Sequence, residues 1–147
     1  MIYSKQFTVQ AEHIDFHGIM DGLYYAFYFE RCRHNYVAEV VGFDLRARAE
    51  AGLNMVLTLA TIKYKRPVLR GEELVVTCSV HPDSAKKPLI HFVQEMLRDG
   101  KSVAEGHFTA TCVSTTAAGW PHIPDDVAAV VAQFPPSTAA TTPPRPA

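Results

Sequence analysis

The stretch EHIDFHGIMDGLYYAFYFERCRHNYVAEVVGF, residues 12–43, decides how this chain folds. Two carboxylates, Asp15 and Asp21, flank Gly18, and an aromatic run from Leu23 to Phe29 follows at once. From Gly22 to about Val41 there is no proline and no internal glycine, which predicts a helix of some five turns. Asp21 suits the N-cap and Gly42 the position just past the last turn. In the first half Tyr24 and Tyr28 share one face, and Leu23 and Phe27 share the neighbouring one. A helix apolar on more than one side calls for cover over most of its circumference. Charge enters only later, at Glu30, Arg31, Arg33, His34 and Glu39.

Outward from this helix the pattern changes to strands. Tyr3, Phe7 and Val9 alternate with polar residues, predicting a first strand over residues 2–11. "HIDFHGIMDG" interrupts with polar residues and two glycines, a loop. Beyond a short Arg/Ala-rich connector at residues 45–52, compatible with a helical turn, strand signals resume over 54–68, 70–81, 88–100 and 101–115. Asp99-Gly100 is a tight hairpin signal, and "PDSAKKP" reads as a polar turn. The order is therefore strand, long helix, then four strands in meander-like sequence: an α+β arrangement. A strongly curved sheet around the helix, closed by a second subunit, supplies the cover required. A monomer of this shape leaves apolar surface and strand edges open, so an oligomer is expected. "PDDVAAVVAQF" predicts a short C-terminal helix. Residues 134–147, rich in Pro, Thr and Ala, are expected to be a disordered tail after a single domain over 1–133.

The bulk numbers exclude several classes. With 48% apolar residues the chain buries a real core, and a net charge of -1 argues against nucleic acid or an anionic membrane as partner. Three scattered cysteines without a CxxC pair fit a reducing compartment. No apolar leader opens "MIYSKQFTVQ", and no run approaches the roughly 18 apolar residues of a membrane span. A cytoplasmic protein is the expectation.

Asp15-Phe16-His17-Gly18, then Tyr28-Phe29-Glu30-Arg31-Cys32-Arg33, then "YKRPVLRGEELVV" at residues 64–76 follow in order at fitting separations. Together, over roughly residues 3–115, the chain resembles the hot-dog-fold thioesterases of the 4-hydroxybenzoyl-CoA thioesterase-like branch. The resemblance implies an antiparallel five-stranded curved sheet wrapped around one long central helix. It also implies an acyl thioesterase that needs no cofactor or metal and acts on acyl-CoA or an acylated acyl carrier protein. The assembly it implies is a homodimer, further paired into a homotetramer as a dimer of dimers. Asp15 becomes the nucleophile or general base, and the backbone N–H of Gly22, or of Leu23, the group that polarises the carbonyl. The chain departs from the family where His-Val-Asn-Asn is frequent: it has Ile19-Met20-Asp21-Gly22.

The residue chemistry is compatible with that role. Thioester hydrolysis needs an attacking carboxylate or water and a donor for the oxyanion. A helix starting just after the loop presents free N–H groups and the positive end of its dipole there. Gly18 allows a tight turn, and Gly22 allows close approach of a substrate to the backbone. Without the motif, Asp15 reads as a loop carboxylate capping a turn. Asp21 reads first as an N-cap and second as an additional carboxylate beside Asp15. Glu30 is a reserve base, with pairing to Arg31 or Arg33 as its plain reading. His17, Gly18, Leu23, Tyr24 and Tyr25 are candidate substrate contacts. The His13/His17 spacing would suit a metal only on a helix with a third ligand, and this segment reads as loop. Cys32 reads as a small core residue. Competing functions are a hot-dog hydratase or dehydratase, which would need His17 or His13 as its histidine, and a non-catalytic acyl-binding partner in polyketide-type biosynthesis.

Overall fold

The structure, a computed structural model, describes residues 2–81, 88–115 and 123–133. The expected turn at 82–87 and the C-terminal tail lie outside the described residues. Strand β1 (Tyr3–Thr8) leads through a 3-10 turn (Ala11–His13) into helix α1 (Gly22–Tyr36). Helix α2 (Leu45–Glu50) and strands β2 (Leu53–Tyr64), β3 (Glu73–Val80), β4 (Ile90–Arg98) and β5 (Lys101–Ser114) follow, then α3 (Asp125–Val131).

Both predicted ends of the central helix hold. The Asp21 carboxylate accepts the Leu23 N–H at 2.9 Å, and Gly42 closes the far end at φ 78°. The last turn is not α-helical, however: Val37–Val41 is a π-helical turn that widens the helix before Gly42. The single chain covers α1 on one side only. Tyr25, Tyr28, Phe29, Cys32 and Tyr36 are buried, whereas Leu23 is 79% exposed and Phe27 40%. Half of the aromatic run thus packs on the sheet, and the Leu23/Phe27 stripe faces outward.

The sheet is antiparallel, with strand order β1-β3-β4-β5-β2. The expected meander holds for β3, β4 and β5 and fails for β2. That strand does not lie beside β3; it pairs with β5 along most of its length, from Leu53 opposite Ser114 to Tyr64 opposite Ala104, and forms the far edge. Between β4 and β5, Asp99 (φ 52°) and Gly100 (φ 75°) make the tight turn their dipeptide signals, with both residues left-handed as a primed hairpin requires. The core lies between α1 and the concave face, where Phe29 meets Phe108 with ring centroids 5.5 Å apart and Tyr36 meets Phe92 at 6.3 Å.

Candidate active site

The loop before α1 is a closed backbone ring. Ile14 and Met20 form an antiparallel bridge, the Asp15 N–H donates to the Ile19 carbonyl at 2.9 Å, and the Gly18 N–H donates back to the Asp15 carbonyl at 3.0 Å. Gly18 sits at φ 82°, which a side chain would disfavour. The base of the ring is tied down by Asp21 N–H to the His13 carbonyl at 3.0 Å and Met20 N–H to the Val68 carbonyl at 2.7 Å. Asp15 is therefore held on a rigid loop. Its Oδ1 accepts the His17 N–H at 2.8 Å, and its Oδ2 lies 3.5 Å from His17 Nδ1. The carboxyl is largely shielded, with 20% of the side chain exposed. The turn-capping bond expected of a plain loop aspartate is present, alongside a histidine on its second oxygen.

The helix start sorts its own donors. The Leu23 N–H is taken by the Asp21 side chain, and the Tyr24 N–H by the Asp21 carbonyl at 2.9 Å. The Gly22 N–H has no acceptor among the described residues. Of the two amides offered by the sequence, only Gly22 is free to meet a ligand. Tyr64, at the end of β2, supports this point: its hydroxyl donates to the Gly22 carbonyl at 3.3 Å, and its ring lies 3.7–3.9 Å from where a Cβ on Gly22 would stand.

The remaining candidates divide into two groups. His17 and Gly18 lie at the surface on the Asp15 loop with Phe16, which is 93% exposed, and Leu23 is exposed in the first turn of α1. Tyr24 is half-buried, stacked on His13 at 4.0 Å. Tyr25 is a core residue, donating to the Arg66 carbonyl at 3.2 Å and edge-on to Tyr64 at 4.9 Å. Burial raises its phenol pKa and that of Tyr28. Glu30 is exposed, and it lies against the His34 imidazole at 3.5 Å, one turn on, rather than against Arg31 or Arg33. It lies about 12 Å along the axis from Gly22. His13 was weighed from the sequence only as a metal ligand beside His17 or as the histidine of a dehydratase. It is buried with Nδ1 2.7 Å from the Tyr28 hydroxyl, which also accepts the Gln10 N–H at 3.3 Å. No local pattern signals this, since the partner lies a loop and two helical turns away. His13 and His17 face different neighbours, and among the described residues no group of three or more His, Cys, Asp or Glu side chains is placed to hold a metal ion. Cys32 is fully buried, its thiol directed at the Val76 carbonyl at 3.2 Å.

The sequence model of the Thioesterase-like superfamily matches residues 9–131. No curated protein sequence matches the chain. Among solved structures, the fold is similar to a 1,4-dihydroxy-2-naphthoyl-CoA thioesterase from Synechocystis, with TM-score 0.79 and 14% identity over 91% of this chain and 98% of that one. It is similar also to a gentisyl-coenzyme A thioesterase, with TM-score 0.77 and 20% identity over 87% and 98%. A hypothetical protein from Aquifex aeolicus shares 22% identity at TM-score 0.76, over 88% and 98%. At these identities the structural likeness establishes the hot-dog fold.

Proposed function

The chain belongs to the thioesterase-like superfamily, and from that premise we propose that it hydrolyses an acyl thioester carried by coenzyme A or an acyl carrier protein. Asp15 attacks the thioester carbonyl, or removes a proton from the water that does, and the Gly22 N–H receives the charge that develops on the carbonyl oxygen. The products are a carboxylic acid and the carrier thiol. The observation that carries this reading is the single unoccupied amide at the mouth of α1, next to a loop that holds a shielded carboxylate. The helix dipole reinforces that amide. Aromatic acyl groups come first in a substrate panel, because two similar structures are named for aryl-CoA thioesters. Short-chain and β-keto acyl groups on both carriers complete it.

Asp15→Asn and Asp15→Ala should each lower kcat at least about tenfold on a good substrate, with the fold intact by circular dichroism. Rates near wild type for both would reject Asp15. Multiple turnover in labelled water separates the two roles: label enters the Asp15 carboxylate only if it is the nucleophile.

A hydratase or dehydratase is the second reading, favoured by the 3.5 Å approach of His17 to Asp15. Loss or gain of the conjugated enoyl-thioester absorbance, without thiol release, selects it. The same proposal includes a homodimer, paired into a tetramer: the Leu23/Phe27 stripe is exposed apolar surface, and β2 is an open edge of the sheet. Light scattering tests it. Three free, buried cysteines support a reducing, cytoplasmic setting. Among the described residues no helix is long and apolar enough to cross a membrane.

A further inference from the structure

Midway along α1 the chain buries a cation that touches no carboxylate among the described residues. Arg33 is 5% exposed. Its Nη1 donates to Gln94 Oε1 at 3.1 Å, and its guanidinium carbon lies 4.4 Å from the centre of the Phe108 ring. Gln94 is fixed in that pose, since its amide donates to the carbonyls of Phe29 at 3.0 Å and Thr77 at 3.3 Å. No carboxylate among the described residues is in contact with Arg33; Glu30, one turn earlier on α1, is exposed and acts on it only at longer range. The other guanidinium N–H groups have no acceptor among the described residues. A guanidinium stays charged when buried, and a buried charge that meets only a neutral amide and a ring is under-compensated.

Arg33 lines a recess of about 300 Å³, counting its open mouth, together with His34, Val37, Leu45, Met55 and Phe92. The π turn begins at Val37, so the helix wall is widened at this spot. Within one chain the recess lies about 16 Å along the axis from Gly22, away from the Asp15 loop.

We infer that this recess is a carboxylate site, taking a small molecule with one carboxylate on an apolar body. The guanidinium fork matches the two oxygens of a carboxylate. One cation balances one negative charge: burial lowers the pKa of His34, so its imidazole adds none at neutral pH. A dianionic phosphate would remain half-compensated, whereas aliphatic and aromatic walls suit the body of an organic acid. The inference does not rest on thioester hydrolysis. Where that activity holds as well, the acid it releases is a natural occupant.

The test is calorimetric, on the full chain without any thioester. Benzoate and hexanoate are titrated beside their uncharged isosteres benzamide and hexanamide, and beside inorganic phosphate. In the wild type each acid should bind at least about tenfold tighter than its amide, and tighter than phosphate. Arg33→Met, which keeps the length of the stem, should bring acid and amide within about twofold. Arg33→Lys should retain part of the preference. Equal affinity of acid and amide in the wild type, no binding of either acid, tighter binding of phosphate, or a preference that survives Arg33→Met would each overturn the assignment. The wild-type comparison needs no variant, so poor folding of Arg33→Met leaves it decisive. A thioesterase assay that fails while the acids bind separates the two readings.

Discussion

Asp21 offers a clean separation of structure from chemistry. Its Oδ1 accepts the Leu23 N–H at 2.9 Å, so the side chain caps α1 and occupies the amide next to the free one. Asp21→Ala removes both the acceptor and a negative charge at the positive end of the helix. The cap is worth about 1 kcal/mol and the charge about 0.3–1 kcal/mol, so the loss should be about 1–2 kcal/mol. Asp21→Asn keeps the acceptor and loses only the charge, about 0.3–1 kcal/mol. For a domain of this size 1 kcal/mol moves the thermal midpoint by about 3–5 °C. Thermal melts should therefore rank wild type above Asp21→Asn above Asp21→Ala. Steady-state thiol release, measured well below the midpoint, should stay within about threefold of wild type for both variants, because the Gly22 N–H is untouched by either. If Asp21→Asn instead loses turnover about as severely as Asp15→Asn while its melting is unchanged, the charge of Asp21 belongs to the chemistry. If Asp21→Ala melts like wild type, the hydrogen bond contributes nothing and the assignment of donors at the helix start fails with it.

Gly106, buried in β5, leaves no room for a methyl group: a Cβ would stand 2.5 Å from Phe108 Cε2 and 3.3 Å from Phe29 Cε2. Gly106→Ala should cost about 1–3 kcal/mol, read as a lower denaturant midpoint, and an unchanged midpoint refutes the packing. His107 has a buried Nδ1 without a partner among the described residues, and burial holds its pKa below the ordinary imidazole value. Its neutral form is the one the fold accepts, so its contribution is intact above about pH 6.5 and declines as pH falls from there through the folded pKa. His107→Leu should thus compare worse with wild type under mildly alkaline than under mildly acidic conditions; a gap independent of pH contradicts this. Burial pushes the thiol of Cys32 up to about 12 and that of Cys112 up to about 11, and Cys78 well above its ordinary value. An aromatic disulfide reagent should leave the native protein unmodified and react with all three cysteines in guanidinium chloride; rapid native labelling would show that one is accessible.

What the sequence conveyed depended on how local the physics was. Asp21 and Gly42 bracket the helix, and Asp99-Gly100 makes the hairpin, because capping and left-handed turns are settled within a few residues. Loop closure around Gly18 was legible for the same reason. The placement of Asp15 beside His17 was half legible: a turn was expected, the histidine on the second oxygen was not. Arg33 stood in a run of charges at residues 30–34 and read as one of several. Its burial comes from Gln94 and Phe108, on strands that the helix meets only in three dimensions. The π turn was likewise hidden, since Val37–Val41 carries no proline or glycine to announce it.

The largest difference, the position of β2, is also what builds the floor of the candidate site. Had β2 lain beside β3, as a meander requires, nothing in the strand pattern would have brought Tyr64 to the mouth of α1. Pairing with β5 to the far edge places Tyr64 opposite Ala104, from where its hydroxyl reaches the Gly22 carbonyl and its ring meets Tyr25. Tyr64 thus fixes the peptide between Gly22 and Leu23 through its oxygen, while the Asp21 side chain and carbonyl take the amides of Leu23 and Tyr24, and the Gly22 N–H has no acceptor among the described residues. A strand pairing fixed by long-range register, and therefore invisible to periodicity, holds the first residue of α1, whose N–H is the proposed oxyanion donor.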